Sequence, residues 1–127
     1  MNRRSALVYV AGPITPIGVG DSSDAARLMA QNVARGIEVG RQVLEAGFSP
    51  VIPHLAFYLY LSAPLDYGTA YIEWDNALLR RCDVMLKYAS SAGADLEEVL
   101  ARGWWSPVVS SVEQLEAWYQ VDVEGCR

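Results

Sequence analysis

The chain has few of the side chains on which much enzyme chemistry depends. Its 127 residues include a single His, His54, a single Lys, Lys87, and two Cys. Cys82 and Cys126 are far apart and form no CxxC pair, so the ligands of an ordinary Cys/His zinc site are missing. We therefore expect no metal and no organic cofactor, and the carboxylates remain as the main candidates for catalytic groups.

Long apolar runs and an excess of positive charge are missing as well. The sequence is 52% hydrophobic, but no apolar run approaches the roughly 20 residues of a membrane span. Its net charge of −5 argues against binding to the phosphate backbone of a nucleic acid. The apolar run after Arg3 and Arg4 is shorter than that of a signal peptide. We expect a cytoplasmic protein with no export signal, no membrane contact and no nucleic-acid polymer as partner.

The residues that are present alternate between strand-forming and helix-forming segments. The pattern predicts strands at 6–11, 48–53, 83–88 and 107–109, and helices at 24–46, 67–81, 92–102 and 111–119. Residues 55–61 fit either a short helix or an extended segment. Strands separated by helices imply a parallel sheet with helices on both faces. We predict a single α/β domain over residues 1–127, with a Rossmann-like or flavodoxin-like three-layer fold and four or five parallel strands.

Polar and small residues follow the first three predicted strands, where ligands bind in such a sheet. Gly12 and Thr15 follow the first strand, and His54 follows the second, either as a satisfied strand-end histidine or as a ligand contact. Ser91 and Gly93 stand where the third strand leads into a helix. Free N–H groups at a helix N-terminus bind anions, although the same residues also fit an ordinary capped turn.

Two carboxylates are candidates for the chemistry. Glu97 lies about one turn into the helix that begins near residue 92, and Glu98 follows it. Adjacent helical residues point about 100° apart, so one of the two can face the crevice while the other faces solvent. Both can equally be surface glutamates. Asp75 shares a predicted helical face with apolar residues. Two carboxylates that meet in one crevice can divide the roles of nucleophile and acid.

Aromatic side chains have two interpretations in the same way. Tyr9 precedes the Gly12-Pro13 break by three residues, so its hydroxyl can reach the crevice, or the ring can belong to the core. Trp104 and Trp105 fall on a predicted loop, where they can form the wall of a base pocket or part of a subunit interface.

Several of these segments occur together in an order that resembles a known superfamily. They are residues 8–15, Pro53-His54, Trp74-Asp75, residues 81–83, residues 91–94 with Glu97, and Pro107-Val108. In this order and spacing they resemble the nucleoside 2-deoxyribosyltransferase superfamily, including its nucleotide N-hydrolases and small phage-type relatives. The resemblance spans residues 6–118.

The resemblance implies an enzyme that breaks the bond between C1′ of a sugar and a nucleobase nitrogen. By this resemblance, Glu97 attacks C1′ to form a glycosyl-enzyme ester, and Asp75 binds the sugar or manages a proton at the leaving base. Tyr9 orients Glu97 through a hydrogen bond. Family members pair their sites across a dimer, so the resemblance also implies a homodimer or a higher homo-oligomer.

The residue six positions before the nucleophile indicates the substrate class. Family members acting on free nucleosides tend to carry an acidic residue there, whereas those acting on 5′-monophosphates carry a Ser, as this chain does at Ser91. The chain departs from the monophosphate hydrolases in the first loop, where Pro13 and Thr15 replace their Ser and Arg. We expect N-glycosidic cleavage of a (deoxy)nucleoside 5′-monophosphate. The alternatives are 2-deoxyribosyl transfer between nucleobases and a non-catalytic nucleotide-binding module.

The expected substrate-binding residues follow from the strand ends, the tryptophan loop and the resemblance taken together. They are Gly12, Thr15, His54, Ser91, Gly93 and Trp105.

Overall fold

The computed structural model describes residues 2–15, 22–62 and 69–126. Within these residues strands and helices alternate along the chain. They are β1 (Leu7–Ala11), α1 (Ser22–Glu45), β2 (Ser49–Val51), α2 (Ala56–Ser62), α3 (Ala70–Arg81), β3 (Val84–Lys87), α4 (Ala92–Gly103), β4 (Val108–Val109) and α5 (Val112–Trp118). Short turns of 3-10 or π geometry cover Arg3–Ser5, Pro53–Leu55, Tyr119–Val123 and Glu124–Cys126.

The four described strands form one parallel sheet in the order β2-β1-β3-β4. This confirms the predicted α/β class with a parallel sheet flanked by helices. Tyr9 at the centre of β1 pairs with Val51 on one side and with Met85 on the other. The chain moves from one side of β1 to the other between β2 and β3. The boundary between β1 and β3 is therefore the switch point at which open α/β sheets bind ligands.

The side chains of β1 alternate between the two faces of the sheet, which gives the fold its three layers. Val8 and Val10 pack in one buried cluster with side chains of α1 and α5. Tyr9 and Ala11 pack in a second cluster with side chains of α3 and α4. Because both faces are covered, β1 is apolar along almost its whole length, as the uninterrupted run in the sequence predicted.

The ends of several elements differ from those predicted. β2 is shorter than residues 48–53, because Pro53 already begins the following 3-10 turn. Residues 55–61, which the sequence left undecided, lie largely in the helix Ala56–Ser62. The predicted start of the next helix, at residue 67, lies outside the described residues, and the described helix begins at Ala70. Gly47, which directly follows the predicted helix end at residue 46, has a φ of +99°, a conformation that glycine adopts easily at the end of a helix.

None of the helices in the described ranges has both the length and the apolar character needed to cross a membrane.

Glycines on α1 allow the segment after β2 to pack closely against this helix. A Cβ atom on Gly36 would lie 2.3 Å from the ring of His54, and one on Gly40 would lie 2.2 Å from Ile52 Cδ1. Gly103, at the end of α4, has nothing within 4 Å of the same position. Gly36 is therefore a closely packed helical glycine, whereas Gly103 is one with open space at the Cβ position.

We expect Gly36→Ala to lower the free energy of unfolding by about 1–3 kcal/mol, because the buried His54 ring must move to admit a methyl group. Gly103→Ala should leave stability unchanged or raise it by up to about 1 kcal/mol, because Ala is the better helix former. Urea denaturation of both variants measures the difference. Equal effects from the two substitutions would contradict the close packing of α1 on His54.

Candidate functional site

A cavity of about 980 Å³ opens at the carboxyl-terminal edge of the sheet. The loop after β1, the turn after β2 and parts of helices α1 to α4 form its wall. Much of the lining is apolar or aromatic, including Phe57, Tyr60, Tyr71, Leu96 and Val99. A large apolar cleft at the switch point of a parallel sheet is the usual location for a small-molecule site in this type of fold.

Two carboxylates face this cavity from different helices. Asp75 lies on α3 and Glu97 on α4, and they are the charged side chains among the described residues of the lining. The hydroxyl of Tyr9, which is fully buried on β1, donates a hydrogen bond to Oε2 of Glu97. The structure thus brings together the three residues that sequence reasoning selected as catalytic, each from a separate element.

Burial disfavours the charged forms of both carboxylates. The pKa of Glu97 is raised from 4.5 to about 7, chiefly by burial and to a smaller extent by the negative charge of Asp75, and the hydrogen bond from Tyr9 partly offsets the rise. Burial also raises the pKa of Asp75 to about 6. The pKa of the Tyr9 hydroxyl is raised as well, first by burial and then by Glu97, so this group remains a hydrogen-bond donor. Between pH values of about 6 and about 7 the two carboxyl groups together hold about one proton, which lies more often on Glu97.

The structure distinguishes the two adjacent glutamates of α4. Glu98 faces away from the cavity and accepts hydrogen bonds from Lys87 Nζ at 2.7 Å and from Arg102 Nε at 2.8 Å. These two cations lower the pKa of Glu98, whereas the pKa of Glu97 is raised. Of the two side chains, Glu97 is the one that lines the cavity at the strand ends.

The amino terminus of α4 forms another part of the cavity wall. Ser91 is the N-cap residue, and its Oγ accepts a hydrogen bond from the N–H of Ala94 at 3.1 Å. Ala92 and Gly93 line the cavity in the first turn, where backbone N–H groups have no acceptor within the helix. A Cβ atom on Gly93 would meet nothing within 4 Å. The capped turn is therefore also an exposed helix end that can receive a negatively charged group.

The proposed substrate-binding residues do not all reach the cavity. Gly12, Thr15, Ser91 and Gly93 line it. His54 does not, because it lies beneath the strand ends with 1% of its surface exposed, and its Nε2 is 3.0 Å from the hydroxyl of Tyr88. Burial lowers the pKa of His54 to about 4, although the backbone of Pro13 opposes this shift, so the ring is neutral at neutral pH.

Trp105 is also separate from the cavity within this chain. It is 94% exposed, with a φ of +61°, on the loop that joins α4 to β4. The lining of the cavity on α4 extends from Ala92 to Leu100, and this loop begins after the helix ends at Gly103 and includes no lining residue. Trp104 contacts Arg80, whose guanidinium carbon lies 4.6 Å from the ring centroid.

Some residues of the wall were not selected from the sequence. Ile72 and Asn76 line the cavity beside Asp75 on α3, and Phe57 lines it from α2. The spacing of 72, 75 and 76 on one helical face could have identified the two α3 residues once Asp75 was chosen. Nothing in the sequence distinguished Phe57, since residues 55–61 had no assigned structure. Within the described residues, no group of three or more His, Cys, Asp or Glu side chains is placed to hold a metal ion.

Comparison with known proteins does not assign the chain to a family. No protein-family model matches the sequence. No curated protein and no solved structure matches it either. The functional argument therefore rests on the chemistry of the cavity.

The pKa values of Glu97 and Glu98 are shifted in opposite directions, so replacing each residue with glutamine should have opposite effects on the free energy of unfolding. The pKa of Glu97 in the folded protein lies above its ordinary value of 4.5, so this residue stabilises the fold at low pH and loses that contribution as the pH rises through about 7. Glu97→Gln should therefore raise the free energy of unfolding at pH 8 by about 1–3 kcal/mol, and much less at pH 5. Urea denaturation at the two pH values measures this difference.

Glu98→Gln is the matched control for that measurement. In the parent chain Lys87 and Arg102 lower the pKa of Glu98. The charge of Glu98 therefore stabilises the fold at pH values above its ordinary pKa, and that stabilisation is lost as the pH falls. This variant should be no more stable than the parent chain at pH 8. A Glu97→Gln variant that is less stable than the parent at pH 8 would contradict the burial of an unfavourable charge at this position.

Proposed function

We propose that the chain cleaves the N-glycosidic bond of a (deoxy)nucleoside 5′-monophosphate and releases the free base. The observation that carries this proposal is the arrangement of Glu97, hydrogen-bonded by Tyr9 and facing the same cavity as Asp75. Paired carboxyl groups with raised pKa values in an apolar cleft are typical of catalytic acids and nucleophiles. Aromatic side chains of the wall, such as Phe57 and Tyr60, can pack against a base.

In the first step we assign the nucleophile to Glu97 and the acid to Asp75. A carboxylate oxygen of Glu97 attacks C1′ as the bond between C1′ and the base nitrogen breaks. The electrons of that bond go to the base, which takes a proton from Asp75. The hydrogen bond from Tyr9 holds the carboxylate in one orientation and leaves one oxygen for attack. The products of this step are the free base and a glycosyl ester of Glu97.

In the second step water replaces the base. The ionised Asp75 takes a proton from a water molecule, whose oxygen attacks C1′ and displaces the carboxylate of Glu97. The sugar phosphate leaves with its original configuration at C1′, because two inversions have occurred. Asp75 is again protonated and Glu97 is again ionised, so the pair returns to its starting state.

We assign the 5′-phosphate to the amino terminus of α4. Among the described residues of the lining the charged side chains are both acidic, so the phosphate would bind to backbone N–H groups near Ala92 and Gly93 and to the hydroxyl of Ser91. Thr15 offers a further hydroxyl from the loop after β1. This location keeps the phosphate at the helix end and away from the carboxylate pair.

A homodimer or a larger homo-oligomer is part of the same proposal. Ile72, Leu96 and Val99 lie at the cavity on α3 and α4, and they are 61%, 67% and 68% exposed. Exposed large apolar side chains that cluster in this way favour contact with another surface. A second copy of the chain that packed there would bury these side chains and narrow the entrance of the cavity.

We expect base release from a nucleoside monophosphate, and we expect Glu97→Gln to lower kcat about a thousandfold or more, because the variant cannot form the ester. The assay presents ribo- and deoxynucleoside monophosphates, with ordinary and modified bases, beside the matching nucleosides, and chromatography detects the free base. Glu98→Gln should retain activity, because that side chain faces away from the cavity.

The products separate this proposal from its alternatives. Hydrolysis gives free base and sugar phosphate, whereas incubation with a second base gives a new glycoside if the chain is a transferase. A parent chain that releases no base from any of these compounds, while Glu97→Ala binds a nucleotide as well as the parent does, would identify a binding module and reject the enzyme.

The pH dependence of kcat/KM should follow the shared proton of the carboxyl pair. The reactive form has Glu97 ionised and Asp75 protonated. The pair carries a single proton mainly between pH values of about 6 and about 7, and this proton lies more often on Glu97, whose pKa is the higher. The reactive arrangement is a constant fraction of the one-proton form and so has the same pH dependence. We expect a bell-shaped profile with its maximum in that interval. Asp75→Asn should remove the alkaline limb, because that limb reports the loss of the Asp75 proton, and should leave an acid limb that follows the ionisation of Glu97. A profile that is flat from pH 5 to pH 8 would contradict the assigned roles.

A further inference from the structure

His54 and Tyr88 form a polar pair at the strand ends that the proposed reaction does not use. His54 lies in the 3-10 turn after β2, and Tyr88 is the residue that follows β3. Nε2 of His54 is 3.0 Å from the Tyr88 hydroxyl oxygen, and the buried ring has no access to the cavity. A buried ring nitrogen needs a hydrogen-bond partner, and Nε2 of His54 has one in the Tyr88 hydroxyl, so this contact restrains the end of the Tyr88 side chain.

The two rings occupy space that two glycines leave open. A Cβ atom on Gly12 would lie 2.1 Å from Cζ of Tyr88, and one on Gly36 would lie 2.3 Å from the His54 ring. The backbone N–H of Tyr88 donates to the carbonyl of Ala11 at 3.0 Å. The pair is thus held between α1 and the loop after β1, and it connects the ends of β1, β2 and β3.

These contacts join two parts of the cavity that carry the chemistry. Gly12 lines the cavity and leads to Thr15. On the other side, Tyr88 leads through two residues to Ser91, the N-cap of the helix that carries Glu97. A shift of Tyr88 would therefore move the cavity wall and the start of α4 relative to β1, which carries Tyr9.

We propose that Tyr88, held by His54, is a positioning residue that sets the Gly12–Thr15 wall and the start of α4 relative to Tyr9. Its effect on base release rests on the proposed function, whereas its effect on the two segments does not. Glycosyl transfer requires the attacking oxygen to be placed within a few tenths of an ångström, so a small shift at the start of α4 costs rate.

The first test measures the two segments directly. Tyr88→Phe removes the hydroxyl and keeps the ring against Gly12. We expect amide hydrogen exchange at Gly12, Ile14, Thr15 and residues 89–94 to become about fivefold to tenfold faster in this variant, as for the loss of one hydrogen bond. Tyr119→Phe is the control, because Tyr119 is also a buried tyrosine but lies at the opposite edge of the sheet. The centroid of its ring is 5.5 Å from that of Phe48.

The second test measures the reaction. Tyr88→Phe should lower kcat about tenfold and change KM less, because substrate contacts remain while the nucleophile is displaced. His54→Gln, whose amide can still bond to the Tyr88 hydroxyl, should retain more activity than His54→Leu. A purely structural role would give equal activities for the two His54 variants after correction for the folded fraction.

The outcomes separate this inference from the proposed function. Unchanged exchange at both segments in Tyr88→Phe, or an equal response in Tyr119→Phe, would overturn the positioning role. If Tyr88→Phe does not fold, the comparison of His54→Gln with His54→Leu by the same exchange measurement decides the question. A parent chain that releases no base, but whose two segments respond as expected, would support the positioning role and reject the proposed reaction.

Discussion

The hydrogen bond from Tyr9 to Glu97 is the contact on which the site depends. It joins a strand at the centre of the sheet to a helix on one face, so the position of Glu97 is tied to the most buried part of the fold. β1 places Tyr9 between β2 and β3, and backbone pairing on both sides prevents the strand from moving. The helix packs on the sheet through small residues such as Ala94 and Ala101, which are fully buried. The hydroxyl of Tyr9 therefore acts as the fixed point, and the carboxylate is oriented by it.

Placing two carboxyl groups in an apolar cavity is unfavourable for stability, and the chain retains both. Glu98 is paired with Lys87 and Arg102, while Glu97, one residue earlier, has a neutral hydroxyl as its partner and a second carboxyl group nearby. Pairing Glu97 with a cation would stabilise its charge and weaken it in the proposed role of nucleophile. The contrast between neighbouring glutamates is typical of a site in which stability has been given up for reactivity. The cavity side of α4 thus carries a carboxyl group bonded to a neutral hydroxyl, whereas the other side carries a carboxylate that is paired with Lys87 and Arg102.

The parts of the fold that could be predicted are those fixed by local sequence. The run at residues 6–11 is apolar on both sides of its pleat, so it had to be an interior strand with helices on both faces, and Gly47 marked the end of α1 because a residue there needs positive φ. Ser91 and Ser111 are good N-caps by residue type, and both accept a hydrogen bond from the helix that follows. Residues 55–61 could not be assigned, because an apolar and aromatic segment of that length fits a helix or an extended wall, and only packing against its neighbours selects one.

The sequence by itself determined the alternation of strands and helices, the edge of the sheet where the candidate residues gather, and the short set of carboxylates among them, because these depend on residue type and spacing along the chain. The tertiary structure alone decided which carboxylate faces the cavity, since Glu97 and Glu98 differ only by a helical rotation whose reference is the sheet beneath them. The tertiary structure also decided that His54 is buried at the strand ends, where it contacts Tyr88, and that Trp105 is exposed on the loop after α4, outside the cavity. The direction in which a side chain points relative to the rest of the fold is set by contacts between distant segments, so no local sequence pattern contains it.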